Sequence, residues 1–179
     1  VMVSSAGEAA VSGVSLVDTV FQLLIYIFSA FGTGGAVVAG QYLGAGQKDN
    51  AKETARQLVW FSALSSIVIM GLVYLIRGFL LEHVYGAITQ EVHWNANRYV
   101  MIVGLSIPAL SIYESGAAIF RTMGNSKITM MLSAVMNVVN ICGNAILIYG
   151  VGIGTAGAAA ATVVARYTAA VIKVYPGWQ

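Results

Sequence analysis

The sequence predicts an all-α membrane protein, a polytopic bundle of five transmembrane helices. Three observations predict it. Charged residues are only 9% of the chain against 58% hydrophobic, with mean hydropathy +0.80. Soluble domains carry about 25% charged residues, so too few remain here to cover a water-facing surface. Long charge-free windows recur along the chain. Among the 20 glycines, small residues recur at four-residue spacing, as in Gly40-x-x-x-Gly44, which lets helix backbones approach closely in lipid. The apolar runs are too long and continuous for the alternating strands of a β-barrel, about 10 residues each.

A bilayer core about 30 Å thick needs roughly 20 apolar helical residues. Thr19 to Gln47 carries no charge and places a first span at about 13–43. The polar segment Gln47 to Thr54 predicts a short amphipathic helix leading into a second span at 57–77, over the charge-free window Gln57 to Ile76. Gly78 to Asn95, with Phe79-Leu80-Leu81 and Trp94, is expected along the membrane interface, where Trp is favoured. Tyr99 to Phe120, interrupted only by Glu114, gives a third span at 96–118. Ile128 to Ala165 then runs uncharged for nearly twice the length of one span and must turn back. Gly150-Val151-Gly152-Ile153-Gly154 is the place, because glycines break a helix and permit a tight reversal. That gives spans at 127–149 and 155–174, the last opening on an all-Ala/Gly run from Ala156 to Ala161.

Lys and Arg are asymmetric. Lys48, Lys52, Arg56, Arg121, Lys127 and Lys173 fall at one end of the spans, Arg77 and Arg98 at the other. The positive side is expected to be cytoplasmic, which puts the loops 44–56 and 121–127 inside. No charged segment precedes the first apolar run, so no signal peptide is expected, and the chain reads as part of a longer one. The net charge of +2 is too small and scattered for a nucleic-acid partner. Cys142 cannot form an internal disulfide and has no metal-ligand spacing around it, so it reads as a small packing residue. His83 and His93 do not make a zinc motif. No nucleophile–base pair can be assembled within the spans, which argues against an enzyme. Gly152-x-Gly154-x-x-Gly157 matches a dinucleotide fingerprint as a string, but a membrane helix precedes it instead of a strand, and Ile172 and Lys173 stand where the fingerprint needs an acid.

The informative residues are polar groups inside the spans, where a charge costs roughly 2.5–3.5 kcal/mol and needs a partner or a wet cavity. Glu114 lies deep in the third span, and Asp18 near the outer end of the first. Asn137, Asn140 and Asn144 recur at spacings of three and four, which puts them on one helical face. Thr162 and Gln41 add to these. Arg166, one turn past Thr162, is positioned to pair with an acid or to reach the inner interface.

These residues resemble the multidrug and toxic compound extrusion (MATE) transporters over nearly the whole chain. Gly34-Gly35-Ala36 with Gly40-Gln41-Tyr42-Leu43-Gly44-Ala45-Gly46 resembles the end of the family's helix two. Phe120-Arg121-Thr122-Met123-Gly124-Asn125-Ser126-Lys127 resembles the loop after helix four. Asn137-x-x-Asn140-x-x-x-Asn144 and Gly154-x-x-Gly157-Ala158-Ala159-Ala160-Ala161-Thr162 resemble helices five and six. The resemblance implies helices two to six of a six-helix N-terminal lobe, completed in the whole protein by helix one and a C-terminal lobe. It implies a secondary transporter in the plasma membrane that exports cationic or amphipathic compounds by alternating access, driven by Na⁺ or H⁺, with no other cofactor. It also implies a cation site built from an Asp on helix one, an Asn and an Asp one turn apart on helix five, and a Thr on helix six. Asn140, Asn144 and Thr162 match the last three, with Asn144 in place of the acid; Glu114 would supply a carboxylate nearby. The alternative within the same superfamily is a lipid-linked oligosaccharide flippase, which would call for a more cationic cavity than Arg166 alone provides.

Overall fold

Helices dictated by the apolar windows account for nearly all of the computed structural model, which describes residues 8–79, 89–152 and 154–174. They are α1 (Glu8–Gly44), α2 (Lys48–Phe79), α3 (Gln90–Gly104), α4 (Ile107–Thr122), α5 (Ser126–Asn144), continued by a π-helical turn (Ala145–Gly150), and α6 (Gly154–Val174). Among the described residues there is no strand. Four helical stretches are each long and apolar enough to cross a membrane, and α3 with α4 makes a fifth if the bent pair is one span. The chain is an all-helical membrane protein.

The reversals at the basic end are chemically identical. After α1, Gln47 N–H donates to Tyr42 C=O (2.9 Å) and Gly46 N–H to Leu43 C=O (3.1 Å). After α4, Asn125 N–H donates to Phe120 C=O (2.9 Å) and Gly124 N–H to Arg121 C=O (3.0 Å). Both are the paired bonds that close a helix on a left-handed residue. Gly46 at φ 76° and Gly124 at φ 77° supply it without Cβ strain.

Two segments differ from the sequence-based expectation. Within the expected loop 44–56 only Ala45 to Gln47 lies outside helix, because Lys48 to Arg56 continues directly into the span as the first turns of α2. The expected third span, 96–118, is not one rod. It starts at Gln90 and bends by 55° between α3 and α4. The cause is Pro108 in the first turn of α4: it has no N–H to offer the Gly104 carbonyl, and its ring opposes a straight continuation. Ser106 N–H closes the end of α3 on Val103 C=O at 2.8 Å. Trp94 lies on α3, largely exposed; Leu80, Leu81 and His83 of the expected interfacial loop, and Ile153 of the expected glycine turn, lie outside the described residues.

Helix α1 packs on α2, α3 and α4, and α6 packs on α3, α4 and α5. Their common core is Val17, Phe21, Leu24 and Phe28 of α1 against Tyr99, Val103, Ile107 and Leu110, with Ala158 and Ala159 of α6. α2 and α4 are joined by buried hydroxyls. Ser115 Oγ donates to Ser62 Oγ (2.6 Å) and Ser111 Oγ to Ser62 C=O (2.8 Å), the kind of interhelical bond that lipid does not compete for. Outward, α2 presents Trp60, Phe61, Leu64, Val68, Leu72 and Leu75, an unbroken apolar surface.

Candidate functional site

Helices α5 and α6 run side by side, and their polar residues meet. Asn144 Nδ2 donates to Asn140 Oδ1 (2.9 Å), Asn140 Nδ2 to Thr162 Oγ1 (3.2 Å), and Thr162 Oγ1 to Ala158 C=O (2.9 Å). The spacing of four stacks the two amides on successive turns. Each side chain in this run donates to the next acceptor along it. Asn144 Oδ1, at its open end, is buried with no hydrogen-bond partner. An amide oxygen left unpaired inside a bundle costs about 1–3 kcal/mol, and it is the atom type that a cation or a donor-bearing substrate would satisfy.

Tyr99 of α3 stands between this chain and α1. Its hydroxyl donates to Asp18 Oδ1 of α1 at 3.2 Å and lies close to Thr162. Asp18, read from sequence as an acid near a helix end, is therefore tied to the interior group while remaining exposed along one side of α1. One turn past Thr162, Arg166 points inward. Its guanidinium donates to Ser106 Oγ (2.7 Å) at the break in span three and lies over the Phe21 ring, 5.3 Å from its centroid. Ser106 is fully buried and passes its own hydroxyl proton to Val103 C=O at 2.7 Å.

The structure thus brings together Asn140, Asn144, Thr162 and Asp18, and leaves two expected residues elsewhere. Asn137 is exposed on α5, one turn before Asn140, and among the described residues makes no hydrogen bond to α6. Its spacing put it on the same face, but a face some 100° wide has an edge, and Asn137 falls on it. Glu114 lies two turns beyond the break, where α4 packs on α1 so closely that a Cβ at Gly32 would come within 3.2 Å of the Glu114 carbonyl oxygen. Tyr99 and Ser106 were not singled out from sequence. A tyrosine among apolar residues reads as packing, and the one available signal was Pro108, which marks the break that Ser106 caps.

A family model described as MatE matches residues 1–146. The chain belongs to the MatE family. It is 30% identical over 169 residues to the uncharacterized transporter YisQ of Bacillus subtilis (strain 168), a match covering 92% of this chain and 37% of that protein. It is 25% identical over 170 residues to a probable multidrug resistance protein NorM of Thermotoga maritima, covering 93% of this chain and 36% of the relative. A crystal structure of MATE in the bent conformation superposes with a TM-score of 0.91 at 24% identity, over 97% of this chain and 38% of the other. This MatE chain therefore spans little more than a third of the proteins it resembles, and its fold is theirs over that length.

Proposed function

We propose that this MatE chain forms most of one lobe of a secondary active transporter. The transporter exports cationic or amphipathic compounds across the plasma membrane in exchange for Na⁺ or H⁺, with the loops 44–56 and 121–127 on the cytoplasmic side. The observation that carries the reading is the Asn144–Asn140–Thr162 chain, open at a buried acceptor and lying beside Tyr99, which bonds the Asp18 carboxylate. A carboxylate within a bundle is neutralised by a proton, a metal cation or a cationic substrate. Competition of these for one negative group, with alternating access, gives antiport.

The helix surfaces support a path beside this site. Ser15, Asp18, Gln22 and Thr33 recur along one exposed side of α1, in contrast to the apolar surface of α2. Polar groups at membrane depth face protein or water, not lipid. In the whole protein this side of α1 meets a cavity, helix one or the second lobe. The test is efflux of an ethidium-type cation from proteoliposomes holding the full-length transporter, under an imposed Na⁺ or H⁺ gradient. Gradient-driven efflux is expected. Absence of transport under both gradients would overturn the reading and move attention to lipid-linked substrates.

A further inference from the structure

The site contains a cation of its own. Around the Asn144–Asn140–Thr162 chain stand one carboxylate, Asp18, and one guanidinium, Arg166, so the group is close to neutral. Arg98 is exposed and lies over Trp94, 5.0 Å from its centroid, and the Glu114 backbone is two turns along α4 from the break. Asn144 adds no charge to the group.

Arg166 does not form an ion pair with Asp18: among the described residues, Asp18 accepts from Tyr99 while Arg166 donates to Ser106. The two charges are nonetheless neighbours. Arg166 lies over Phe21, and Phe21 is one turn along α1 from Asp18. One helical turn is about 5.4 Å, within the reach of an arginine side chain changing rotamer. An arginine is never deprotonated in a protein, so its charge stays in the bundle throughout the cycle and must be balanced there. Ser106 and the Phe21 ring, a neutral acceptor and a ring face, hold the guanidinium but leave its charge uncancelled. Asp18, one turn along α1 from the Phe21 ring, is an acid placed to cancel it.

We propose that Arg166 is a tethered cation that neutralises Asp18 and takes the place a bound Na⁺ would have in this lobe. It is a specificity-determining residue: the Asn140–Asn144–Thr162 group then discriminates against Na⁺, and a cationic substrate or a proton reaches Asp18 by displacing Arg166 towards Ser106. The inference rests on reading this group as the cation site of the lobe, and deepens that reading.

The test is a binding measurement that needs no transport. The full-length protein in nanodiscs is melted in increasing NaCl, with choline chloride as the ionic-strength control. The wild type is expected to show no saturable Na⁺-specific rise in melting temperature. Arg166→Gln, which leaves Asp18 uncancelled, is expected to gain one, by the stabilisation that any ligand of the native state confers. Arg166→Lys is expected to behave as the wild type. Asn144→Asp adds the missing carboxylate without touching Arg166 and is also expected to gain saturable Na⁺ stabilisation, which keeps the test decisive if Arg166→Gln does not fold. A saturable Na⁺ response in the wild type that Asn144→Leu abolishes would overturn the proposal, as would its absence from both Arg166→Gln and Asn144→Asp. A protein that binds in the expected pattern but moves no ethidium would instead sink the proposed function and leave this inference standing.

Discussion

Asp18 is the residue on which the most depends. Its carboxylate accepts a hydrogen bond from Tyr99 in the bundle interior, and it also lies on the exposed side of α1. Asp18→Asn keeps the shape and removes the charge. It is expected to lower gradient-driven efflux at least about tenfold, equivalent to about 1.4 kcal/mol, with membrane insertion intact; unchanged efflux would take Asp18 out of the mechanism. Glu114→Gln is expected to weaken coupling and leave insertion intact, checked by efflux under the same gradients. Two of the three asparagines give a contrast. Asn140→Leu breaks the chain at its centre, leaving Asn144 without an acceptor and Thr162 without a donor, and is expected to cost about 1–2 kcal/mol in a melting experiment. Asn137→Leu, on the exposed face, is expected to change stability by less than about 0.5 kcal/mol. From the sequence, period alone placed all three asparagines together. It could not say which of them the neighbouring helix would cover, because that depends on where α6 lies against α5. Tyr99 was illegible for the same reason: its partners come from α1 and α6, far away in sequence.

The broken span is the least regular of the helical elements, and other helices hold it. Tyr167 of α6 donates to Leu105 C=O (2.9 Å), Tyr74 of α2 donates to Met101 C=O (3.0 Å), and Arg166 reaches Ser106. The two tyrosines satisfy backbone carbonyls that a continuous helix would have paired within itself. Tyr167→Phe and Tyr74→Phe each remove one such bond. Each is expected to lower stability by about 0.6 kcal/mol, and no more than about 1.7, the range found for interhelical bonds in membrane proteins; a steric-trap or detergent unfolding assay checks this. Gly104 is fixed by the same contact, since a Cβ there would meet the Tyr74 ring at 2.8 Å. The four apolar windows were legible because hydropathy is a local property. The bend was legible only as far as Pro108: proline states that the ladder is interrupted, and tertiary packing sets the angle.

At the scale of the whole molecule, the helix faces sort by solvent. α2 turns Trp60, Phe61, Leu64, Leu72 and Leu75 outward, all more than half exposed, whereas α1, beside exposed apolar residues such as Leu23 and Ile27, also carries a strip of hydroxyls, an amide and Asp18. The first surface fits lipid. In a full-length protein whose Trp94 and Trp178 are replaced by Phe and whose Trp60 is its remaining tryptophan, brominated lipid is expected to quench most of the fluorescence. Weak quenching would place this face against protein instead. Burial patterns like these are a property of the assembled bundle. The sequence showed only that every span was apolar, because a helix in lipid is apolar on the outside as well as the inside, and amphipathic periodicity is blunted.

The π-helical turn between Asn144 and the start of α6 has a consequence for how such chains diverge. Val151 N–H reaches back five residues to Ile146 C=O (3.1 Å), so Ala145 to Gly150 hold one residue more than an α-helix would need for the same rise. Excising one residue there would restore the α repeat and leave the helix faces on either side of the turn in the same mutual orientation, with the loss taken up within Ala145 to Gly150. The turn is thus a point where a single-codon insertion or deletion is absorbed locally, not as a break. A chain of this fold that lacks the extra residue could keep its amide site unchanged and differ only in the width of the turn that follows it.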